Sequence, residues 1–393
     1  MITEEEALAR ILASVHPLPS RAVSIVDALN CFTARDIFAA VASPPFDNSS
    51  MDGYAVVAAA CRSGARLKVV GEQPAGVDRR LHVACGEALR IFTGAPMPVG
   101  ADAVIMQEET RVEGDEVVLL ADVAPGENVR RRGGDIAEGQ KLIARGERVR
   151  AQNAALLASQ GFSSIEIGGR VRAAIISTGD ELVAPGRSLE AGQIYDSNSV
   201  LLEALLRNCG ADIFSMTHCG DQPDETEAAL AAGSAAEVMI ITGGVSVGAR
   251  DFVKSALVAA GATLDLWRVA VKPGKPFLFG RTETCAIFGL PGNPVSAFVT
   301  FLLFVRPAIF KLMGANESAL GLTQVSARLT ESIRNPGERP HYVRGVLLDG
   351  RFEPVGRQES HALFGLSRAN ALIRVAPEAN LARDANVTAL LLD

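Results

Sequence analysis

Between residues 171 and 304 the chain alternates short, mostly apolar runs with stretches of helical periodicity. Strand-like runs cover 171–177, 211–216, 238–242 and 285–290, and helical patterns cover 200–207, 223–232, 252–260 and 295–304. Runs with no polar alternation suit strands buried on both faces, and a strand–helix alternation builds a parallel sheet with helices on each side. The punctuation agrees: Gly210 and Gly261 close helices, and Asp224 and Glu225 fall in a first turn, where acids oppose the helix dipole. The expectation is a doubly wound, mostly parallel α/β domain, whose ligands bind beyond the carboxyl ends of its strands.

Those ends carry the polar segments. They are Thr178-Gly-Asp180-Glu181-Leu182, Gly243-Gly244-Val-Ser246-Val-Gly248-Ala-Arg-Asp251 and Leu290-Pro291-Gly292-Asn293-Pro294. The last reads as strand, glycine turn and helix, with Asn293 at the N-cap and Pro294 at the first helical position. Such a turn faces backbone N–H groups and the positive helix end outward, toward an anion. No Gly-Lys-Ser/Thr opens the helix, so it is not a P-loop. Lys272 and Lys275, in Lys-Pro-Gly-Lys-Pro, carry charge on a segment stiffened by two prolines. Asp180, Glu181 and Asp251 are expected at the same mouth, where Mg2+ takes one or two carboxylates beside substrate oxygens. Asp251 would serve equally as the N-cap of the helix at 252, and Asp221 has the same ambiguity before Pro223.

The flanks differ. Thr3-Glu-Glu-Glu6 is a capping box opening a pattern that reads as helical to Asn30. A polar loop, Asp47-Asn-Ser-Ser-Met-Asp52-Gly-Tyr-Ala-Val56, precedes short strands at 67–70, 88–92, 103–107 and 116–120, with Thr93-Gly-Ala-Pro directly after the second. The basic run 130–132 is either a solvated face or a second anion contact. A helix at 149–159 and a strand from Ile165 lead into the alternating region. After Gly314 the alternation stops, and strands at 325–329, 341–348, 351–354, 371–375 and 387–392 predict a small barrel or sandwich.

A formal charge of −7 argues against a nucleic-acid partner. The six cysteines show no Cys-x-x-Cys and no metal-ligand spacing, as expected of reduced cytosolic thiols. The acidic N-terminus is unlike a signal peptide, and the apolar run 295–305, closed by Arg306-Pro307, reads as too short to span a bilayer. The expectation is a cytoplasmic protein with no membrane partner.

Four stretches together, Asp47 to Val56, Thr178 to Leu182, Lys272 to Pro276 and Leu290 to Pro294, resemble the molybdopterin molybdenumtransferase family, bacterial relatives of the gephyrin E domain. The likeness runs over the whole chain and includes Thr93-Gly-Ala-Pro, Gln193-Ile-Tyr-Asp196-Ser-Asn198 and Gly243 to Gly248. It implies four domains: a linker domain (1–44 and 133–168), an inserted β-rich domain (45–132), the α/β molybdopterin-binding domain (169–314) and a C-terminal β domain (315–393). It implies a homodimer with the site shared between subunits. The implied reaction joins molybdate to adenylylated molybdopterin and releases AMP, with Mg2+ as cofactor. Molybdopterin adenylyltransferase and apo-molybdoenzymes or their chaperones are the implied partners.

By the same resemblance Glu181 and Asp251 are metal and hydrolysis acids, joined by Asp221 and, less directly, Asp180. Lys272 and Lys275 hold molybdate or phosphate. Asp52 and Thr93 reach in from the partner subunit, Arg344 and Ser360 line the far wall, and Gly243, Gly244, Ser246, Pro291, Gly292 and Asn293 contact substrate. Two departures stand out: Glu359 replaces a common Gly beside Ser360, and Gly134 replaces an acid before Asp135. A different enzyme on the same α/β domain, such as the adenylylating partner or a nucleotide hydrolase, and a scaffold are the competing readings. The intact Ser50-Met-Asp-Gly-Tyr54 loop and C-terminal segment weigh against the first, and the full set of site motifs against the second.

Overall fold

The computed structural model describes residues 1–244 and 252–392. By internal contacts the chain forms two units. One comprises Met1–Arg35, Ala144–Ala155 and Ser163–Asp393; the other comprises Asp36–Ile143 and Leu156–Phe162.

The first helix, α1 (Glu4–Ser14), starts where the capping box places it, with the Thr3 hydroxyl accepting the Glu6 N–H. It stops sixteen residues short of Asn30, and Arg21–Ser24 is a strand paired with Ser164–Ile167. Pro17 and Pro19 explain the early end, since each removes a donor and pushes the preceding residue out of helical space.

In the unit containing residues 36–143, six strands form one sheet: β1 (Gly53–Val56), β2 (Arg66–Gln73), β3 (Glu87–Ile91), β4 (Ala103–Met106), β5 (Thr110–Glu113) and β6 (Glu116–Leu119), in the order β4-β1-β3-β2-β6-β5. Its core gathers Val56, Leu67, Ala88, Ile105, Val117 and Leu119. The basic run is partly tied down: Asp47 accepts from the Arg132 N–H and pairs with Arg131 at 2.7 Å.

The other unit contains the α/β sheet: β7 (Arg172–Thr178), β8 (Asp212–Cys219), β9 (Val238–Thr242), β10 (Thr263–Arg268), β11 (Pro276–Arg281) and β12 (Ala286–Leu290), ordered β8-β7-β9-β12-β11-β10. The first four in that order are parallel; β11 and β10 run antiparallel at one edge. Helices α2 (Ser197–Asn208), α3 (Pro223–Gly233), α4 (Phe252–Ala259) and α5 (Pro294–Thr300) cover both faces. On one face Ile176, Met239, Ile241, Leu278 and Ile287 pack with Leu230 of α3 and Leu257 of α4. On the other Phe277 meets Phe304 at 4.7 Å and Phe279 meets Phe288 at 5.2 Å. A fully buried side chain of this size contributes about 1.5–3 kcal/mol, so this aromatic layer is a large part of the core.

The helix at the end of the sheet does not stop at Arg306-Pro307. It passes through a π-helical turn, Phe301–Val305, into α6 (Arg306–Leu312). The Arg306 N–H reaches back to the Phe301 carbonyl, and this widened turn accommodates the proline without ending the helix. The continuous element, Pro294–Leu312, has 19 residues and mean hydropathy 1.8, long enough to cross a bilayer, so the length argument made from sequence fails. It lies in the core, with 89 % of its most apolar window buried.

Beyond it β13 (Gln324–Leu329), β14 (His341–Leu348), β15 (Arg351–Pro354), β16 (Ala371–Val375) and β17 (Asn386–Leu391) close a five-stranded barrel. Alternating positions, among them Ala327, Leu329, Val343, Ile373 and Ala389, fill it.

Candidate functional site

The sheet order reverses at β7, whose two neighbours are reached by connections leaving in opposite directions. Beyond the carboxyl ends at this point lies a cleft of about 980 Å³, bordered by Thr178, Thr242 and Pro291. The register sets Thr242 beside Leu290 and Ser177 beside Thr242, so the glycine-bearing ends emerge together.

Two of those glycines are dictated by geometry. Gly243 and Gly244 have φ of +85° and +61°, and a Cβ on Gly243 would lie 2.4 Å from the Thr178 carbonyl oxygen. Only a residue without a side chain lets β9 end this close to β7. Ser246 and Asp251, expected on the following loop, lie outside the described residues.

Lys272 and Lys275 both border the cleft, on the connection from β10 to β11. Sequence reading missed this hairpin because Arg268 to Pro276 interrupts apolar periodicity. The barrel holds it: the Lys272 N–H donates to the Pro340 carbonyl at 2.8 Å, and the Tyr342 N–H donates to the Lys272 carbonyl at 2.8 Å. Gly274 (φ +119°) packs so closely on α5 that a Cβ there would meet Thr300 Cγ2 at 2.5 Å.

The Pro291-Gly292-Asn293 turn also borders the cleft. Asn293 occupies the N-cap position in extended geometry, but its side chain makes no capping bond. It donates instead to Ser360 Oγ at 2.9 Å, while the Val295 N–H donates to the Ser360 carbonyl at 3.1 Å. The Ser360 loop is thus fastened to the start of α5, and Ser360 faces the cleft beside Glu359.

Arg344 does not line the wall where the resemblance put it. It is 1 % exposed on β14, with Nη1 donating to the Glu359 carbonyl at 3.4 Å and Nη2 to the Arg357 carbonyl. Gln358 completes this support, its Oε1 accepting the Arg344 N–H at 3.0 Å and its Nε2 donating to the Arg344 carbonyl at 3.1 Å. The cation sits behind the loop that carries Ser360. A strand pattern marks which residues alternate, but not which loop folds over them, so this position was not legible.

Glu181 and Asp221 border the cleft; Asp180 is turned to a backbone task, accepting the Asp221 N–H at 3.0 Å. The Glu181 carboxylate folds over Gly179, within 2.5 Å of where a Cβ would stand. Among the described residues no three His, Cys, Asp or Glu side chains form a metal-binding group.

A feature quoted from sequence without a role is Asn198. It is buried at the cleft margin, and its Nδ2 donates to Thr242 Oγ1 at 2.8 Å and to the Gly292 carbonyl at 2.7 Å. The carbonyl fixes the amide orientation, because only the nitrogen can donate to it. Asn198 therefore ties the end of β9 to the glycine turn, while Asp196 caps α2 through the Ser199 N–H at 3.0 Å.

In the other unit Asp52 and Thr93 form a ready pair. Asp52 Oδ1 accepts from the Thr93 N–H at 2.7 Å and from Thr93 Oγ1 at 2.8 Å. These bonds, the backbone one first, hold the Asp52 carboxyl below its ordinary range. The local cause is the pairing of β1 with β3, which sets Gly53 opposite Ile91 and so brings Asp52 and Thr93 to the same end. On its other side Gly53 runs so close to β4 that a Cβ there would lie 1.9 Å from the Ile105 carbonyl oxygen.

Comparison with known proteins covers nearly the whole chain. Residues 2–161 match the MoeA N-terminal region (domain I and II), 174–311 a probable molybdopterin binding domain, and 326–392 the MoeA C-terminal region (domain IV). The chain is 36 % identical over 382 residues to a molybdopterin molybdenumtransferase of Haemophilus influenzae, covering 95 % of this chain and 94 % of that one. It is 37 % identical over 343 residues to one from Nostoc, covering 84 % and 78 %. A crystal structure of the molybdopterin biosynthesis MoeA protein from Pyrococcus horikoshii superposes with a TM-score of 0.82 at 28 % identity, covering all of both chains.

Proposed function

Because the chain belongs to the molybdopterin molybdenumtransferase family, we propose that it transfers molybdenum from molybdate to adenylylated molybdopterin, with release of AMP, in molybdenum cofactor biosynthesis. The observation that carries this reading is the cleft, which brings Lys272, Lys275, the glycine strand ends and the carboxylates Glu181 and Asp221 to one cavity.

The chemistry requires that arrangement. Molybdate and a phosphoanhydride are both anions and repel each other as they approach. Lys272 and Lys275 supply opposing charge, and the start of α5, which borders the cleft, adds the positive end of its helix dipole. Gly243, Gly244 and Gly292 let the ligand reach the backbone, with Pro291 and Asn293 shaping the turn. Ser360, held by Asn293, presents a hydroxyl, and Arg344 positions its loop.

Glu181 and Asp221 fit Mg2+ as a partial set, since this ion takes one or two carboxylates and completes its shell with water and substrate phosphate. Asp251 would add a third. When bound, Mg2+ would supply positive charge at the phosphoanhydride oxygens. The protein need offer no covalent nucleophile, because the pterin dithiolate is the group that binds molybdenum.

The four-domain division and the homodimer belong to this reading, with Asp52 and Thr93 acting across the dimer. So do a cytoplasmic location, supply of substrate by the adenylyltransferase, and delivery to apo-molybdoenzymes or their chaperones. Purified chain, Mg2+, molybdate and adenylylated molybdopterin should together activate an apo-molybdoenzyme. Failure to activate it, with a known family member succeeding in parallel, would overturn the reading.

A further inference from the structure

The segment 268–272, which ends in Lys272, is paired twice. At one end the Ala270 N–H donates to the Ile2 carbonyl at 2.8 Å and the Ile2 N–H to the Arg268 carbonyl at 3.4 Å, so Ile2 lies in parallel beside Val269. At the other end Lys272 bridges His341, its N–H on the Pro340 carbonyl and its own carbonyl accepting the Tyr342 N–H, both at 2.8 Å. The residues before α1 and the first residues of β14 therefore hold one short stretch of backbone between them.

A buried side chain joins the two holders to each other. Glu4, the first residue of α1 and 7 % exposed, accepts a hydrogen bond from Arg374 Nε, and Glu5 takes Nη2 of the same guanidinium at 3.3 Å. Arg374 stands on β16 opposite Tyr342 of β14, and the buried phenol of Tyr342 sits against the Glu4 carboxylate. Tyr342 is the residue whose N–H holds the Lys272 carbonyl. The helix behind Glu4 is itself fixed: Ala7 and Ile11 are fully buried, and Lys311 Nζ of α6 donates to the Leu12 carbonyl at 2.6 Å. A buried ion pair adds little net stability, because desolvation offsets the attraction. What this one supplies is a rigid joint between α1 and the barrel, where both adjoin the lysine segment.

We propose that Glu4 is a positioning residue for Lys272: through Arg374 and Tyr342 it locks the residues before α1 to the barrel, and so fixes the segment they share. The proposal rests on the functional reading above for what Lys272 does, and on the hydrogen bonds alone for how it is held. A group displaced by about 1 Å from its working position can lose about a hundredfold, so a distant joint can matter to a binding site.

Two measurements on Glu4→Ala test this. Hydrogen exchange of the Ala270, Lys272 and Tyr342 amides should quicken about tenfold or more, while amides of β7 and β9 keep their wild-type rates. In cofactor formation the half-saturating molybdate concentration should rise about tenfold, with the rate at saturating molybdate unchanged. Adding Glu4→Ala to Lys272→Ala should cause no further rise, because the residue that Glu4 positions is gone. Glu4→Gln keeps an oxygen for Arg374 and should fall between wild type and Glu4→Ala; it supplies the same comparisons if Glu4→Ala does not fold. Wild-type exchange at the three amides would overturn the proposal, as would additive losses in the double variant. A lowered Tm with a wild-type molybdate titration would overturn it too, leaving Glu4 a purely structural ion pair. If wild type forms no cofactor, the functional reading fails separately, and the exchange rates still decide whether Glu4 holds the lysine segment.

Discussion

At the residue scale, the two cleft lysines differ in setting. Lys275 is exposed, whereas Lys272 is half-buried and held at both its N–H and its carbonyl. Solvent screening weakens an exposed cation, so Lys275→Ala should raise the half-saturating molybdate concentration by about tenfold, the low end for a charge-assisted bond. A molybdate titration of cofactor formation measures this; coincident curves would make Lys275 an ordinary surface residue. His341 gives a second residue-scale prediction. Burial, chiefly, and then the charges of Lys272, Arg344 and Arg339 push its pKa down to about 4. The unfolded chain takes up that proton near pH 6.5 and the folded chain does not, so stability present above pH 6.5 falls as pH drops toward 4. The loss is about 2–3 kcal/mol, and denaturant unfolding across that window should show it for wild type and not for His341→Asn.

At the scale of elements, what could be read and what could not have separate physical causes. Barrel strands β14, β15 and β16 were legible to the residue, because turn residues bound runs of apolar and β-branched side chains. The β10–β11 hairpin was not, since its turn consists of the site itself. The lysines, Glu181 and the glycine turn were identifiable as chemistry, and the structure brings them to one cleft. Arg344 was misplaced because its burial depends on a loop closing over it; Asn293 stands at the N-cap position and on the cleft as expected, but its amide serves Ser360 and not the helix end. Gly243 yields the prediction at this scale. Gly243→Ala adds a Cβ 2.4 Å from a carbonyl oxygen at φ +85°, and it should destabilise the protein by about 1–3 kcal/mol while weakening substrate binding. A Tm and an affinity at the wild-type values would show that β9 can end differently.

At the scale of the whole molecule, the Asp52–Thr93 pair and the Glu181 cleft belong to different units of the chain. If each site draws on two subunits, inactive Asp52→Asn and inactive Glu181→Gln protomers complement each other after mixing. Random exchange leaves half the dimers mixed, each with one intact site of two, so about 25 % of site activity should return. No recovery after verified exchange would mean that each site is built within one subunit. The central claim, that the cleft couples molybdate to breakage of the adenylylated substrate, is tested most directly by AMP release with and without molybdate. Wild type should release AMP in step with molybdenum bound to the pterin, and Glu181→Gln should slow both together. AMP release at an undiminished rate without molybdate would make the protein a nucleotide hydrolase and contradict the account.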